Sequence, residues 1–250
     1  MDKTDLERAL AASGLDAPVR FDEVTESTNA TALALADRGY PEWTLVGAAH
    51  QTAGRGRLGR TWEDEPGGSL LFSLVLRPAM EPGSVGLISL LAGASMSEAI
   101  RERTGLSVTC RWPNDLMIDD QKLGGILAES RFSGGSLRFV VVGIGVNLGA
   151  PPIPGAAALG WKVDGPILLR SFVGVFAKRY MPGHPAFAQA VIRAWRPLAA
   201  TLGRQVEAVV ADGARMSGRA VDVDGYGGLI VETADGMRTV SFGEIRHLVG

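Results

Sequence analysis

The feature that most limits what this chain can fold into is a short glycine-arginine segment, Gly54-Arg55-Gly56-Arg57-Leu58-Gly59, and the strand-like run just beyond it. Its spacing matches the GxGxxG fingerprint of dinucleotide-binding folds, which needs a helix directly behind it so that the pyrophosphate meets the helix N-terminus. Here the chain runs on through Arg60 and Trp62 to Ser69–Leu76, an apolar run with strand character. The segment therefore links strand to strand, and a doubly wound parallel sheet is excluded at this point. An anion would be met by the side-chain cations Arg55, Arg57 and Arg60 rather than by a helix dipole. Taken alone, the segment also reads as a solvated glycine turn carrying surface charge.

The flanking sequence alternates helical and extended texture. Asp2 to Ser13 has the pattern of a short amphipathic helix and Val19 to Val24 of an extended piece; Glu26-Ser27-Thr28-Asn29 opens an alanine-rich helix ending near Gly39. Thr44 to Ala49 reads as a strand and Ser84 to Arg103 as a helix. Four strand-like runs follow, Ser107–Trp112, Leu116–Ile118, Lys122–Ser130 and Leu137–Leu148, and the turn residues Asp119-Asp120 and Gly134-Gly135 predict an antiparallel meander. A loop at Gly149–Gly155 leads to helical stretches at Pro166–Tyr180 and Pro185–Leu202. Beyond that the texture is all-β: Gln205–Val210, Met216–Val223, Leu229–Thr233, Arg238–Phe242 and Ile245–Val249 are short alternating runs between Asp-Gly and Gly-Gly turns, the pattern of a small barrel. The expected domains are residues 1–202 and 203–250, the second marginal for independent stability and so packed on the first.

Composition removes several function classes. A net charge of −2, with no run of Lys/Arg, excludes a broadly basic protein and makes nucleic acid an unexpected partner. The start has neither a basic n-region nor an apolar h-region, and the apolar stretches near Val85–Met96 and Phe139–Leu148 are shorter than the roughly 20 residues of a membrane span, so a soluble, cytoplasmic protein is expected. The single cysteine, Cys110, lies in an apolar run and reads as an inert core thiol. No GxxxxGK[ST], HExxH or GxSxG is present, which removes P-loop, zincin and nucleophile-elbow chemistry.

Two further segments hold candidate chemistry. In Arg111-Trp112-Pro113-Asn114-Asp115 the proline must end its strand, which leaves an amide and a carboxylate at the strand end, able to meet a base, a phosphate, Mg²⁺ or an arginine, or simply to make a turn. Lys122 opens Lys122-Leu123-Gly124-Gly125-Ile126-Leu127, whose paired glycines allow close approach of a ligand or backbone.

The order and spacing of Glu26-Ser27-Thr28-Asn29, Gln51, Gly54 through Arg60 with Trp62, Trp112 through Leu116, Lys122 through Leu127 and Gly143-Ile144-Gly145-Val146-Asn147 resemble the biotin protein ligase family over essentially the whole chain, including a terminal Gly243-Glu244-Ile245 turn. Arg111 stands where the family often has lysine, and Leu148-Gly149 follows Asn147 where many members place a further asparagine. The resemblance implies an α+β fold: a mixed-sheet catalytic domain flanked by helices, of the class II aminoacyl-tRNA synthetase and biotin ligase type, with a small C-terminal SH3-like β-barrel. It implies activation of biotin by MgATP to biotinyl-5'-AMP, then transfer to a lysine of a biotin carboxyl carrier protein of acetyl-CoA or related carboxylases. By the same resemblance Ser27, Thr28, Asn29, Gln51, Arg55, Gly56, Arg57 and Lys122 hold biotin. Arg60, Trp62, Asn114, Asp115 and Asn147 hold the nucleotide, Asp115 is the candidate Mg²⁺ ligand, and Lys122, Arg57 and Arg55 carry the chemistry. The protein would be a monomer or homodimer. Family members that double as repressors carry an N-terminal helix-turn-helix domain, whereas a single short helix precedes the first strand here, so DNA binding is not expected. The alternatives are a lipoate or octanoate transferase of related fold, for which Cys110 would be the only candidate nucleophile, and a non-enzymatic biotin-responsive regulator.

Overall fold

Asp2 accepts from the backbone N–H of Asp5 at 2.9 Å and Asp5 returns the bond at 3.0 Å, a reciprocal cap that starts α1 (Lys3–Ala11). Its buried stripe, Leu6, Ala9 and Leu10, is the first piece of the core. The computed structural model describes residues 1–151, 153–210, 215–241 and 243–247. After α1 come β1 (Val19–Thr25), α2 (Thr28–Asp37), β2 (Leu45–Gln51) and β3 (Ser69–Leu76), with the glycine-arginine segment between the last two. Next are α3 (Val85–Thr104), β4 (Thr109–Arg111), β5 (Asp115–Ile118), β6 (Gln121–Ser133) and β7 (Ser136–Asn147). Helices α4 (Gly165–Arg179) and α5 (Phe187–Trp195) precede β8 (Gln205–Val210), β9 (Arg215–Val223), β10 (Leu229–Thr233), β11 (Gly236–Val240) and β12 (Gly243–His247).

The first seven strands form one mixed sheet in the order β1-β2-β3-β7-β6-β5-β4; β1 and β2 are parallel and the other pairs antiparallel. The predicted meander is present as β4 to β7. Its turns fall where expected: Asp119 and Asp120 have φ of 47° and 62°, Gly134 and Gly135 of 57° and 80°, the left-handed pairs that match strand twist in a tight hairpin.

Side-chain alternation divides the sheet into two faces. Leu70, Phe72, Leu74, Val142, Ile144 and Val146 point to the larger core, where α1, α3, α4 and α5 pack. Helix α2 covers the other face with Ala32, Leu33, Leu35 and Ala36 against Val46, Val75, Phe139 and Val141. Continuing along β7 on that second face, Phe139 and Val141 are followed by Gly143 and Gly145, and where the side chains stop the space for a site begins. Helix α3 has the length and apolar composition of a membrane span, yet 72% of its apolar window is buried between sheet and helices, as a core helix requires.

The C-terminal strands form a separate antiparallel sheet in the order β11-β10-β9-β8-β12. This corrects the expected SH3-like barrel: β12 returns to the free side of β8, and among the described residues no pairing joins it to β11, so the sheet stays open. The physical reason lies in β11, whose Gly236 to Thr239 are all exposed and only Val240 buried, leaving it a solvated edge. Gly243-Glu244-Ile245, expected as a turn, opens β12 instead. Phe242, Leu248 and Val249, which the last expected runs include, lie outside the described residues. This sheet is fastened to the first by Trp112, buried, whose indole N–H donates to Gly227 O at 2.9 Å and whose backbone N–H donates to Thr201 Oγ1 at 2.9 Å. A Cβ on Gly227 would come within 3.0 Å of the Gly86 backbone, so the β9–β10 turn lies directly on the start of α3.

Candidate active site

A polar-walled cavity opens above Gly143 and Gly145, with about 730 Å³ between its walls, mouth included. The N-terminus of α2 forms one wall. Ser27 is its N-cap, with φ −161° and a side chain that accepts from Ala30 N, and Ser27, Thr28 and Asn29 of this helix start line the cavity. Gln51, at the end of β2, accepts from Thr28 N at 2.8 Å and lies 3.1 Å from Thr28 Oγ1. Asn29 donates to Leu127 O at 3.1 Å and to Glu129 Oε2 at 2.9 Å, and its Oδ1 lies 2.6 Å from the hydroxyl of the buried Ser73. A Cβ on Gly143 would collide with the Asn29 carboxamide, which is why β7 has no side chain there.

The opposite wall is cationic. The loop after β2 brings Arg55, Gly56, Arg57, Arg60, Thr61 and Trp62 over the glycine floor, with Leu58 in the left-handed region at φ 55°. Arg55 donates to Glu129 Oε1 at 2.7 Å. Burial lowers the pKa of the Arg57 guanidinium below its ordinary value, Asp115 works against that fall, and Arg60 adds to it. Lys122 Nζ lies 2.7 Å from Asp115 Oδ1. Asn114 lines the cavity while its amide donates to Ile126 O at 2.9 Å, which ties the strand end after Pro113 to β6. Cations thus gather in one partly dried space with a single carboxylate, Asp115, among the lining residues; the wall is built to hold polyanions.

Trp62 lies flat on the floor. A Cβ on Gly145 would come within 2.7 Å of its ring, and its indole nitrogen is buried with no hydrogen-bond partner. Of the residues singled out in the sequence, Ser27, Thr28, Asn29, Gln51, Arg55, Gly56, Arg57, Arg60, Trp62, Asn114, Asp115 and Lys122 come together around this cavity. Asn147 does not reach the wall: it is 3% exposed, and its amide donates to Ala157 O at 3.0 Å. Sequence reasoning missed Ser73 and Glu129. Ser73 sits in a run that reads as uniform core, and its only signal was polarity on the α2 face; Glu129 lay unnoticed just beyond the glycine pair. Cys110 is buried, and burial pushes its thiol up to about 11, the opposite of what a nucleophile needs. No cluster of three or more His, Cys, Asp or Glu among the described residues has metal-binding geometry.

Comparison with known proteins gives concordant matches. The family described as "Biotin/lipoate A/B protein ligase family" matches residues 21–147, and "Biotin protein ligase C terminal domain" matches residues 201–248. The chain is 31% identical over 236 residues to the bifunctional ligase/repressor BirA of Bacillus subtilis, covering 90% of this chain and 72% of that one. It is 34% identical to the biotin--[acetyl-CoA-carboxylase] ligase of Paracoccus denitrificans, covering 88% and 97%. The biotin protein ligase of Aquifex aeolicus in complex with biotin and ATP superposes with a TM-score of 0.78 at 25% identity, covering 92% of this chain and 99% of that one.

Proposed function

The chain belongs to the biotin protein ligase family, and from that premise we infer how this cavity performs the family's reaction, in which biotin is activated with ATP and transferred to a carrier protein. The observation that carries the reading is the meeting of a polar helix N-terminus, Thr28 with Gln51, and a cationic wall of Arg55, Arg57, Arg60 and Lys122 across one glycine floor. The first wall suits the neutral, hydrogen-bonding ureido ring, and the second suits the two anions that must approach each other.

In the first half-reaction the biotin carboxylate attacks the α-phosphorus of ATP, pyrophosphate leaves, and biotinyl-5'-AMP forms. Repulsion between carboxylate and triphosphate is the obstacle; Lys122, Arg55 and Arg57 offset it and stabilise the charge developing on the phosphoryl oxygens. Trp62 and Asn114 line the nucleotide end. Asn147, tied to Ala157, supports that end from behind by holding the loop after β7. In the second half-reaction a carrier lysine attacks the mixed anhydride carbonyl, and Lys122 stabilises the departing AMP phosphate.

The donor set fits Mg²⁺ delivered with the nucleotide: Asp115 supplies one carboxylate, already beside Lys122, and the phosphates would supply the remaining oxygens. Bound there, the ion would neutralise phosphate charge. The division at residues 202 and 203 belongs to the same proposal, with the chemistry in the first part and the second bracing the Trp112–Asp115 strand end. The proposed acceptor is the biotin carboxyl carrier domain of acetyl-CoA or a related carboxylase, supported by the name of the Paracoccus relative.

The test is the intact mass of a purified biotin-carrier domain incubated with this protein, MgATP and biotin, with lipoate and octanoate in parallel and ATP omitted as control. An ATP-dependent, biotin-sized gain is expected; a gain with lipoate or octanoate alone would overturn the reading.

A further inference from the structure

A carrier lysine that attacks the mixed anhydride must first lose a proton, because its amine is an ammonium near neutral pH. The catalytic cavity is poorly equipped to take it. Among the described residues its lining holds no histidine and a single carboxylate, Asp115, whose Oδ1 already lies 2.7 Å from Lys122 Nζ. A second, open cavity lies alongside. It shares Gln51, Thr61 and Trp62 with the first and adds His50, Glu63, Asp64 and Glu65. Val46 of β2 packs with α2 on the cavity side of the sheet, and alternation along the strand puts His50 on that same side.

His50 Nδ1 lies 2.9 Å from Asp64 Oδ2, and the backbone N–H of Gln51 donates to Asp64 Oδ1 at 3.4 Å. The Asp64 side chain is fully buried, whereas that of His50 is a quarter exposed. A carboxylate only accepts, so Nδ1 carries the proton and the imidazole presents Nε2 as an acceptor. That is the tautomer a base needs, with a buried carboxylate ready to stabilise the imidazolium. The ionisable groups around the ring are Asp64, Glu63 and Glu65 on the cavity wall; β1 meets His50 with Val24, which follows Glu23.

We propose that His50, oriented by Asp64, is the general base for the acceptor lysine in the second half-reaction. Nε2 takes one proton from the ammonium, and the freed lone pair forms the new C–N bond at the anhydride carbonyl. As the intermediate collapses, the carbonyl carbon's bond to the phosphate oxygen breaks, AMP leaves, and the second surplus proton passes to solvent. The imidazolium then returns its own proton to solvent. This rests on the biotin-ligase reading of the neighbouring cavity.

The experiment follows transfer from enzyme-bound biotinyl-5'-AMP to a purified carrier domain between about pH 6 and 10, with hydroxylamine as a second acceptor that needs no deprotonation at neutral pH. His50→Gln should slow carrier transfer by about 10²-fold near pH 7, in kcat with KM for the carrier unchanged, and the deficit should close towards the lysine value of about 10.4. Biotin-dependent pyrophosphate exchange and transfer to hydroxylamine should stay within about twofold of wild type. Asp64→Asn, which no longer holds the proton on Nδ1, should show the same pattern. Wild-type carrier transfer by His50→Gln, a deficit equal at every pH, or a parallel loss of exchange overturns the proposal. So does a wild-type carrier rate that climbs without levelling up to about pH 10, whether or not the variants fold. Failure of the ligase reading appears separately, as wild type that modifies no carrier with biotin.

Discussion

Replacing Gly145 by alanine tests whether the glycine floor exists to seat Trp62. The added Cβ would lie 2.7 Å from two carbons of the indole ring and 3.1 Å from its nitrogen, well inside the roughly 3.5–4.0 Å of ordinary carbon contact, so the ring must move by about an ångström. Trp62 cannot withdraw as a unit. Its backbone N–H donates to Gly54 O at 2.9 Å, and a Cβ on Gly54 would itself meet Trp62 O at 2.5 Å, so the turn is clamped and only the ring can rotate outward. Alanine in a strand gains about 0.5–1 kcal/mol over glycine, and forcing a methyl into a packed site costs about 1–3 kcal/mol. Gly145→Ala should therefore lose on the order of 1–2 kcal/mol, read from the urea midpoint. Displacing a ring that lines the cavity should also lower the biotinylation rate by about 10- to 100-fold. Gly183→Ala, with no atom within 4 Å of its Cβ, is the control and should be neutral. In a Trp62→Ala background the Gly145→Ala cost should vanish. Gly145→Ala behaving like Gly183→Ala in stability, rate and tryptophan emission would refute the reasoning.

Lys122→Ala should cut biotin-dependent pyrophosphate exchange by about 10²- to 10³-fold, with Lys122→Arg intermediate, because the charge returns without the geometry of the 2.7 Å pair with Asp115. Trp112→Phe keeps an aromatic ring but removes the indole N–H and strands the buried Gly227 carbonyl, so it should cost about 1–3 kcal/mol in chemical unfolding and speed proteolysis of the C-terminal sheet. Cys110→Ser should retain activity, and native Cys110 should resist maleimide at about pH 8, since its thiol is pushed up to about 11. Burial raises the Asp64 carboxyl above its ordinary 3.8, with the hydrogen bond from His50 pulling the other way. The folded state then holds that proton more tightly than the unfolded chain. The stabilising contribution is full below the unfolded value and is lost as pH rises through the folded one, so Asp64→Asn should flatten the decline in urea midpoint across that window.

Much of the site was legible because its parts are local. Proline after Trp112 had to end a strand, the diglycine and Asp-Asp turns had to make hairpins, and a glycine-arginine loop leading into a strand could not be a Rossmann turn. The contacts that crossed elements were not legible. Ser73 is 44 residues from Asn29 and Glu129 is 100, and nothing in periodicity says that a serine among leucines will face a helix N-terminus rather than the core. The open C-terminal sheet was misjudged for a related reason: alternating short strands state how many strands there are but not whether the last closes on the first, which depends on what β11 offers its outer side.

Helix α3 has a consequence for the order in which the chain can mature. Its apolar surface is covered by β6, β7, α4 and α5, all of which are synthesised after it. While ribosomes are still completing residues beyond 104, a segment with the length and composition of a bilayer span is without its cover. Any nascent chain halted before α4 would present that surface to chaperones, to other unfinished copies or to a lipid phase.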